Sequence, residues 1–262
     1  MLTEDNYYDN DNHWKYMSVS QFKDFMNCEA KAMAKLNRVI PEENTEAFLV
    51  GNYVHSAFES QVAHEEFLTN HEADMLTKTG KTRAPFIQAE KMVKRLKEDD
   101  FFYNLYQGEK EMIITGELFG TEWKGKIDCL NIEKGYFVDL KTTADIGKRY
   151  FSPRYRKWVS FVEEYGYVLQ MAVYQKLLED KYNKEFSPYI YAVSKQDPPN
   201  VEPIEFIQAR FTRELEYVEQ NIEHILKVKF GEETPRPCGS CDYCRANKVI
   251  TGFTEVEELI DR

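Results

Sequence analysis

GKIDCLNIEKGYFVDLKTT, running from Gly125 to Thr143, reads as two strands joined by a turn at Glu133-Lys134-Gly135. Side chains alternate between faces along a strand, so Asp139 and Lys141 share one face while Leu140 points the other way, into a core. If the strands pair through that turn, Asp128 lies across from Asp139 and Lys141, close enough for two carboxylates to share a metal ion. Hard carboxylate oxygens suit Mg2+ or Mn2+, and such an ion polarises a scissile phosphate and lowers the pKa of a bound water. Lys141 can then orient the water or neutralise charge developing on the phosphate. Standing alone, an Asp-x-Lys pair is better read as an ordinary cross-strand ion pair on a surface hairpin. The flanking sequence therefore has to carry the distinction.

Upstream, EMIITGELFG, starting at Glu111, supplies a further strand, with a turn at Gly120-Thr121. Downstream, Val159 to Leu178 has helical spacing and includes Gln170 and Tyr174, and Tyr189 to Val193 is a fourth strand ended before Pro198-Pro199. An extended piece from Ile204 to Phe211 leads into a charged amphipathic helix from Glu214 to Lys229. Towards the N-terminus, Ser18 with Gln21 three residues later offers a capping box, opening a helix through Phe22, Phe25 and Met26 that carries Cys28. Pro41 and the acidic run after it mark a break. Ala47 to Phe67 is again helical, with Phe48, Val54, Phe58 and Val62 on one face, and His55 four residues after Gly51. Ile87 to Lys97 reads as an amphipathic helix. The basic loop TKTGKTR, residues 77–83, fails as a phosphate loop, because Met75 stands where a Walker A motif needs glycine. This order of elements predicts an α/β (α+β) fold with a central mixed sheet flanked by helices.

A chain of 262 residues allows one main domain and a small appendage. The expected organisation is a flexible N-terminal arm over 1–16, a catalytic domain over 17–230, and a C-terminal cysteine cluster and tail over 231–262 that packs back on the domain. The start, MLTEDNYYDNDNHWKY, lacks the basic and apolar regions of a signal peptide, and no apolar run approaches the roughly 20 residues of a membrane span. A soluble cytoplasmic protein with no membrane association is expected. The net charge of -11 argues against non-specific adhesion to nucleic acid, although a basic groove on an acidic protein suffices to hold a phosphate backbone. KRYFSPRYRKW offers such a groove: Lys148, Arg149, Arg154, Arg156 and Lys157 can hold phosphates while Tyr150, Phe151, Tyr155 and Trp158 stack on bases, or the stretch is a solvated loop. Of five cysteines, Cys238, Cys241 and Cys244 form a Cys-x2-Cys-x2-Cys array too tightly spaced for packing alone, which calls for a fourth ligand.

Gly125-Lys126-Ile127-Asp128 followed by Val138-Asp139-Leu140-Lys141-Thr142-Thr143 resembles the PD-(D/E)xK nuclease motif, in particular its RecB-like and RecE-like exonuclease branches. Two further elements are similar to that branch: Gly51-x-x-x-His55 and Gln170-x-x-x-Tyr174. No proline precedes Asp128, which is common there. The resemblance implies a restriction-endonuclease-like core and a metal-dependent DNA exonuclease that hydrolyses phosphodiester bonds and resects duplex ends for recombination or repair. It assigns catalysis to Asp128, Asp139, Lys141, Gln170 and Tyr174, and Mg2+ or Mn2+ binding to His55, Asp128, Asp139 and the backbone carbonyl of Leu140. It also implies DNA as substrate, a single-strand annealing protein as partner, a homo-oligomer supplying processivity in the absence of helicase motifs, and a bacterial or phage-infected cell. The alternatives are a CRISPR-adaptation-type iron-sulfur nuclease and a catalytically inactive DNA-binding module of the same fold.

Cluster-bearing RecB-like nucleases place one cysteine before the Gly-x-x-x-His helix and three after the fold. By this resemblance Cys28 joins Cys238, Cys241 and Cys244 around a [4Fe-4S] cluster. The spacing after Cys241 is shorter than in those members, which leaves Zn2+ and free thiols open. Cys129 adjoins Asp128 on a strand and must face the opposite side.

Overall fold

Alternating and apolar runs become strands where the sequence places them. In the computed structural model, which describes residues 2–41, 45–250 and 252–256, these are β1 (Glu109–Leu118), β2 (Thr121–Asn131), β3 (Tyr136–Thr143), β4 (Tyr150–Ser152), β5 (Lys157–Val159), β6 (Ser187–Ser194) and β7 (Val201–Ile204). The acidic run after Pro41 and positions 257–262 of the expected tail lie outside the described residues.

Five strands form one sheet in the order β1-β2-β3-β6-β7. The turn at Glu133-Lys134-Gly135 returns β3 antiparallel to β2, pairing Asn131 with Tyr136 and Cys129 with Val138. β6 runs parallel to β3, with Asp139 opposite Ile190 and Lys141 opposite Ala192. Parallel neighbours need a long crossover, and residues 144–186 supply it, including the helix Tyr167–Tyr182. β7 closes the sheet antiparallel to β6. This is the predicted α+β architecture, a mixed sheet with helices on it.

Packing divides the chain into two units, Glu43–Gly116 with Gly125–Leu215, and Met1–Glu42 with Glu117–Lys124 and Glu216–Arg262. This division departs from the boundaries expected at residues 16 and 230. In the first unit, Leu49, Val50 and Val54 of the helix Glu46–Glu59 and Phe86, Met92 and Leu96 of the helix Ala84–Lys97 pack on Cys129, Val138, Leu140, Tyr191 and Val193 of the sheet. The face predicted for the first of these helices is wrong in part: Phe48 and Val62 are exposed, and Phe58 is only half-buried. The predicted single helix over 47–67 also breaks at Ser60, whose hydroxyl accepts from Ala63 N and so starts a new helix, Gln61–Asn70. A second break falls at Gly166, left-handed at φ +66, which separates the short helix Phe161–Glu164 from Tyr167–Tyr182 inside the predicted 159–178 helix. The extended reading of Ile204 to Phe211 holds only to Ile204, because the helix Gln208–Lys229 begins earlier than predicted.

In the second unit, the residues expected as a flexible arm are structured. Asn10–Lys15 is a helix, and Tyr7 and Tyr16 are buried. Lys124, itself buried, donates to the Tyr7 carbonyl at 2.5 Å and lies 4.5 Å over its ring. A buried ammonium needs such partners, which ties the N-terminal segment down. Ser18 caps the helix Val19–Asn27 by accepting from Gln21 N, but the Gln21 amide goes to the His13 carbonyl, so the capping box is only half made. Cys28 is not within that helix. It ends it and caps the next, Glu29–Leu36. Among the described residues, no helix is long and apolar enough to cross a membrane.

Candidate active site

Strand alternation delivers the predicted pair. Lys141 Nζ lies 2.5 Å from Asp139 Oδ2 on one face of β3. Asp139 is almost wholly buried, and its other oxygen accepts from Gln170 Nε2 at 2.9 Å, which fixes the carboxylate from the helix Tyr167–Tyr182. Apart from Lys141, Asp139 Oδ2 has no hydrogen-bond partner among the described residues. Lys141 also sits 4.7 Å over the Tyr167 ring. Asp128 Oδ2 accepts from Leu140 N at 2.7 Å, and His55 Nδ1 stands 3.3 Å from the same oxygen.

A residue not singled out in the sequence completes the group. Glu111 brings a carboxylate oxygen to His55 and Asp128 such that one ligand atom from each lies within 4.8 Å of the others. It does so from a left-handed backbone conformation, φ +52, within β1, and it is paired with Lys126 at 2.7 Å.

The electrostatics follow from burial. Burial and then the charge of Asp139 hold the Asp128 carboxyl well above the usual carboxylate range, with Lys141 and the Leu140 amide pulling the other way. Burial alone would lower Lys141, but Asp139 and Asp128 outweigh it and hold the ammonium above its ordinary value. His55 is pushed down to about 4, by burial first and then by Lys141. Its imidazole is therefore neutral near pH 7, with a lone pair free for a metal, and its approach to Asp128 is not an ion pair.

These donors fit a divalent cation. Two carboxylates and a neutral imidazole converge, a donor set suited to Mg2+ or Mn2+. When bound, such an ion polarises a phosphate oxygen and lowers the pKa of a water. The chain's own residues set the rest: Gln170 fixes Asp139 and Asp139 holds Lys141, which leaves a fixed positive charge suited to a phosphate. Of the ligands expected, His55 and Asp128 are together, whereas Asp139 stands outside the converging trio. The Leu140 backbone hydrogen-bonds both His55 and Asp128. A groove of about 460 Å³ opens here, lined by Gly51, Asn52, His55, Lys141, Tyr165 and Lys195 among others.

A raised Asp128 has a consequence for metal binding. The cation needs the ionised carboxylate, so at any pH below the raised Asp128 value binding Mg2+ expels a proton, and affinity should climb with pH until the medium passes that value. His55, at about 4, adds no proton at pH 7. Calorimetric titration in buffers of different ionisation enthalpy should show net proton release that disappears in Asp128→Asn. Release unchanged in that variant would contradict the assignment.

Tyr174 packs on Gly125: a Cβ there would lie 2.5 Å from the Tyr174 ring. The glycine three residues before Asp128 is thus a spatial requirement. Gly125→Ala is expected to cost about 1–3 kcal/mol by overpacking, measured by denaturant unfolding, and much of the loss should return in the double variant with Tyr174→Leu. Additive losses would show that the contact is not the cause.

The predicted basic stretch divides. Arg154 is bound to the buried Glu214 at 2.7 Å, and Lys157 faces Glu163 at 3.4 Å. Lys148, Arg149 and Arg156 are exposed, beside the exposed rings of Phe151 and Trp158 on the β4-β5 hairpin. The four cysteines of the other unit do assemble: Cys28, Cys238, Cys241 and Cys244 place their sulfurs within 4.8 Å of one another. Cys129 is buried in the sheet core, its sulfur 3.2 Å from Lys110 Nζ.

Residues 18–247 match the model of a family described as a PDDEXK-like domain of unknown function (DUF3799). Among solved structures, a protein of Eubacterium rectale named "Putative exonuclease" is 35% identical, covering 99% of this chain and 98% of its own, with a TM-score of 0.92. The structure of SSO0001 covers 85% of this chain and 93% of its own at 14% identity and a TM-score of 0.31, too slight a likeness to argue from. Among curated proteins, none matches. With the family model spanning most of the sequence, the chain belongs to the PDDEXK-like DUF3799 family, within the PD-(D/E)xK nuclease superfamily.

Proposed function

We propose that this chain is a metal-dependent deoxyribonuclease, an exonuclease that hydrolyses phosphodiester bonds and resects duplex ends for recombination or repair. One observation carries the reading: Lys141, held by Asp139 that Gln170 in turn fixes, lines the same groove as His55, and His55 converges with Glu111 and Asp128. An inactive binding module would have no need of a buried carboxylate-lysine pair, which costs desolvation. The exonuclease mode is favoured by the name of the similar protein from Eubacterium rectale.

In this reading Lys148, Arg149 and Arg156 hold phosphates, Phe151 and Trp158 stack on unpaired bases, and Arg154 and Lys157 shape the hairpin through their carboxylates rather than gripping DNA. The enzyme works in the cytoplasm, alongside a single-strand annealing protein and as a homo-oligomer. The mode is tested by comparing linear with covalently closed duplex in Mg2+ and in Mn2+. Loss of the linear DNA alone is expected. Equal cutting of the closed circle would replace exonuclease by endonuclease, and no cutting of either would remove the nuclease reading.

A further inference from the structure

Resemblance to cluster-bearing nucleases implies a [4Fe-4S] centre on the four cysteines, but their spacing does not fit one. Cys28 Sγ lies 3.5 Å from Cys244 Sγ and 3.8 Å from Cys241 Sγ, and Cys238 Sγ lies 3.9 Å from Cys244 Sγ. In a cubane each thiolate binds a different iron, which holds the sulfurs roughly 6 Å apart. Four thiolates around a single ion with metal-sulfur bonds of about 2.3 Å are separated by about 3.8 Å, the edge of the tetrahedron. The observed distances bracket the second value and fall far short of the first.

Backbone amides donate to three of these sulfurs. Gly239, left-handed at φ +76, turns the chain so that Cys238 Sγ accepts from Cys241 N at 3.3 Å, and the next step repeats this, Cys241 Sγ accepting from Cys244 N at 3.4 Å. Cys28 does the same at the start of the helix Glu29–Leu36, accepting from Lys31 N at 3.5 Å. The two segments are joined beside the sulfurs as well: Arg236 N donates to Glu29 Oε2 at 2.8 Å, and Lys31 Nζ meets Asp242 Oδ1 at 2.5 Å.

We propose that Cys28, Cys238, Cys241 and Cys244 bind one Zn2+ in a closed tetrahedral site, not an iron-sulfur cluster, and that this ion ties the N-terminal helices to the C-terminal knuckle within their unit. Four protein thiolates leave no open position, so the ion is structural. It supplies folding free energy and takes no part in cleavage.

The full chain is to be purified anaerobically from cells grown with both iron and zinc. Colourless protein with one zinc per chain and no acid-labile sulfide is expected, and X-ray absorption at the zinc edge should show an all-sulfur shell at about 2.3 Å. Brown protein with stoichiometric iron and sulfide would overturn the proposal, as would a zinc shell containing nitrogen or oxygen, or folded protein with no stoichiometric metal. Cys28→Ser should lose the zinc and lower Tm while Cys129→Ser keeps it. If Cys28→Ser does not fold, the absorption spectrum of the unaltered protein still decides.

Discussion

Replacing Lys141 with alanine, or Asp139 with asparagine, should lower phosphodiester cleavage by about 10²–10³-fold or more, the scale at which a single preorganised charge acts on a transition state. Lys141 is held 2.5 Å from Asp139, and Asp139 is in turn fixed by Gln170, so the ammonium is preorganised. Asp139→Asn keeps the shape and can still bond Gln170, but it removes the charge that positions Lys141. Lys141→Ala leaves a buried carboxylate without its counter-ion. Both variants should keep the circular dichroism of the unaltered chain and lose turnover. Full cleavage by either purified, folded variant would take these residues out of the chemistry.

A second large effect is expected at Glu111. With His55 and Asp128 it forms the trio whose donor atoms converge. Glu111→Gln removes one anionic oxygen from a hard cation and should weaken Mg2+ binding by about 10-fold or more, since affinity for such ions follows ligand charge. Lys126, its partner at 2.7 Å, is partly solvent-exposed and can turn to water, so the fold should survive. Calorimetric titration with Mg2+ in the absence of DNA measures this directly. Unchanged affinity in Glu111→Gln, with affinity lost in Asp139→Asn, would restore the ligand set read from sequence, in which Asp139 binds the metal.

What could be read in the sequence was what strand periodicity and short motifs encode. Asp139 and Lys141 share a face because alternation along β3 leaves no other arrangement, and the glycine before Asp128 has its reason in the Tyr174 ring. Glu111 escaped notice because its place depends on a left-handed residue inside β1, a local departure from strand geometry with no signal in residue type. The N-terminal segment was misread for a different reason. Its composition is polar, yet Tyr7 and Tyr16 are buried, and Lys124 is buried with them, a contact between residues more than a hundred positions apart that periodicity cannot register. In the helix Glu46–Glu59 the apolar residues allow two overlapping stripes, and the sheet selected Leu49, Val50 and Val54 over the one containing Phe48. The division of the basic run was not legible because charge counted along the chain ignores partners such as Glu214 and Glu163.

The most direct test of the site as a metal-dependent nuclease centre is single-turnover digestion of a linear, end-labelled duplex by the unaltered chain and by Lys141→Ala, each with Mg2+ and with excess chelator. Release of label only by the unaltered chain with Mg2+ is the expected result. Equal release by the Lys141→Ala protein, or release undiminished by the chelator, would contradict it.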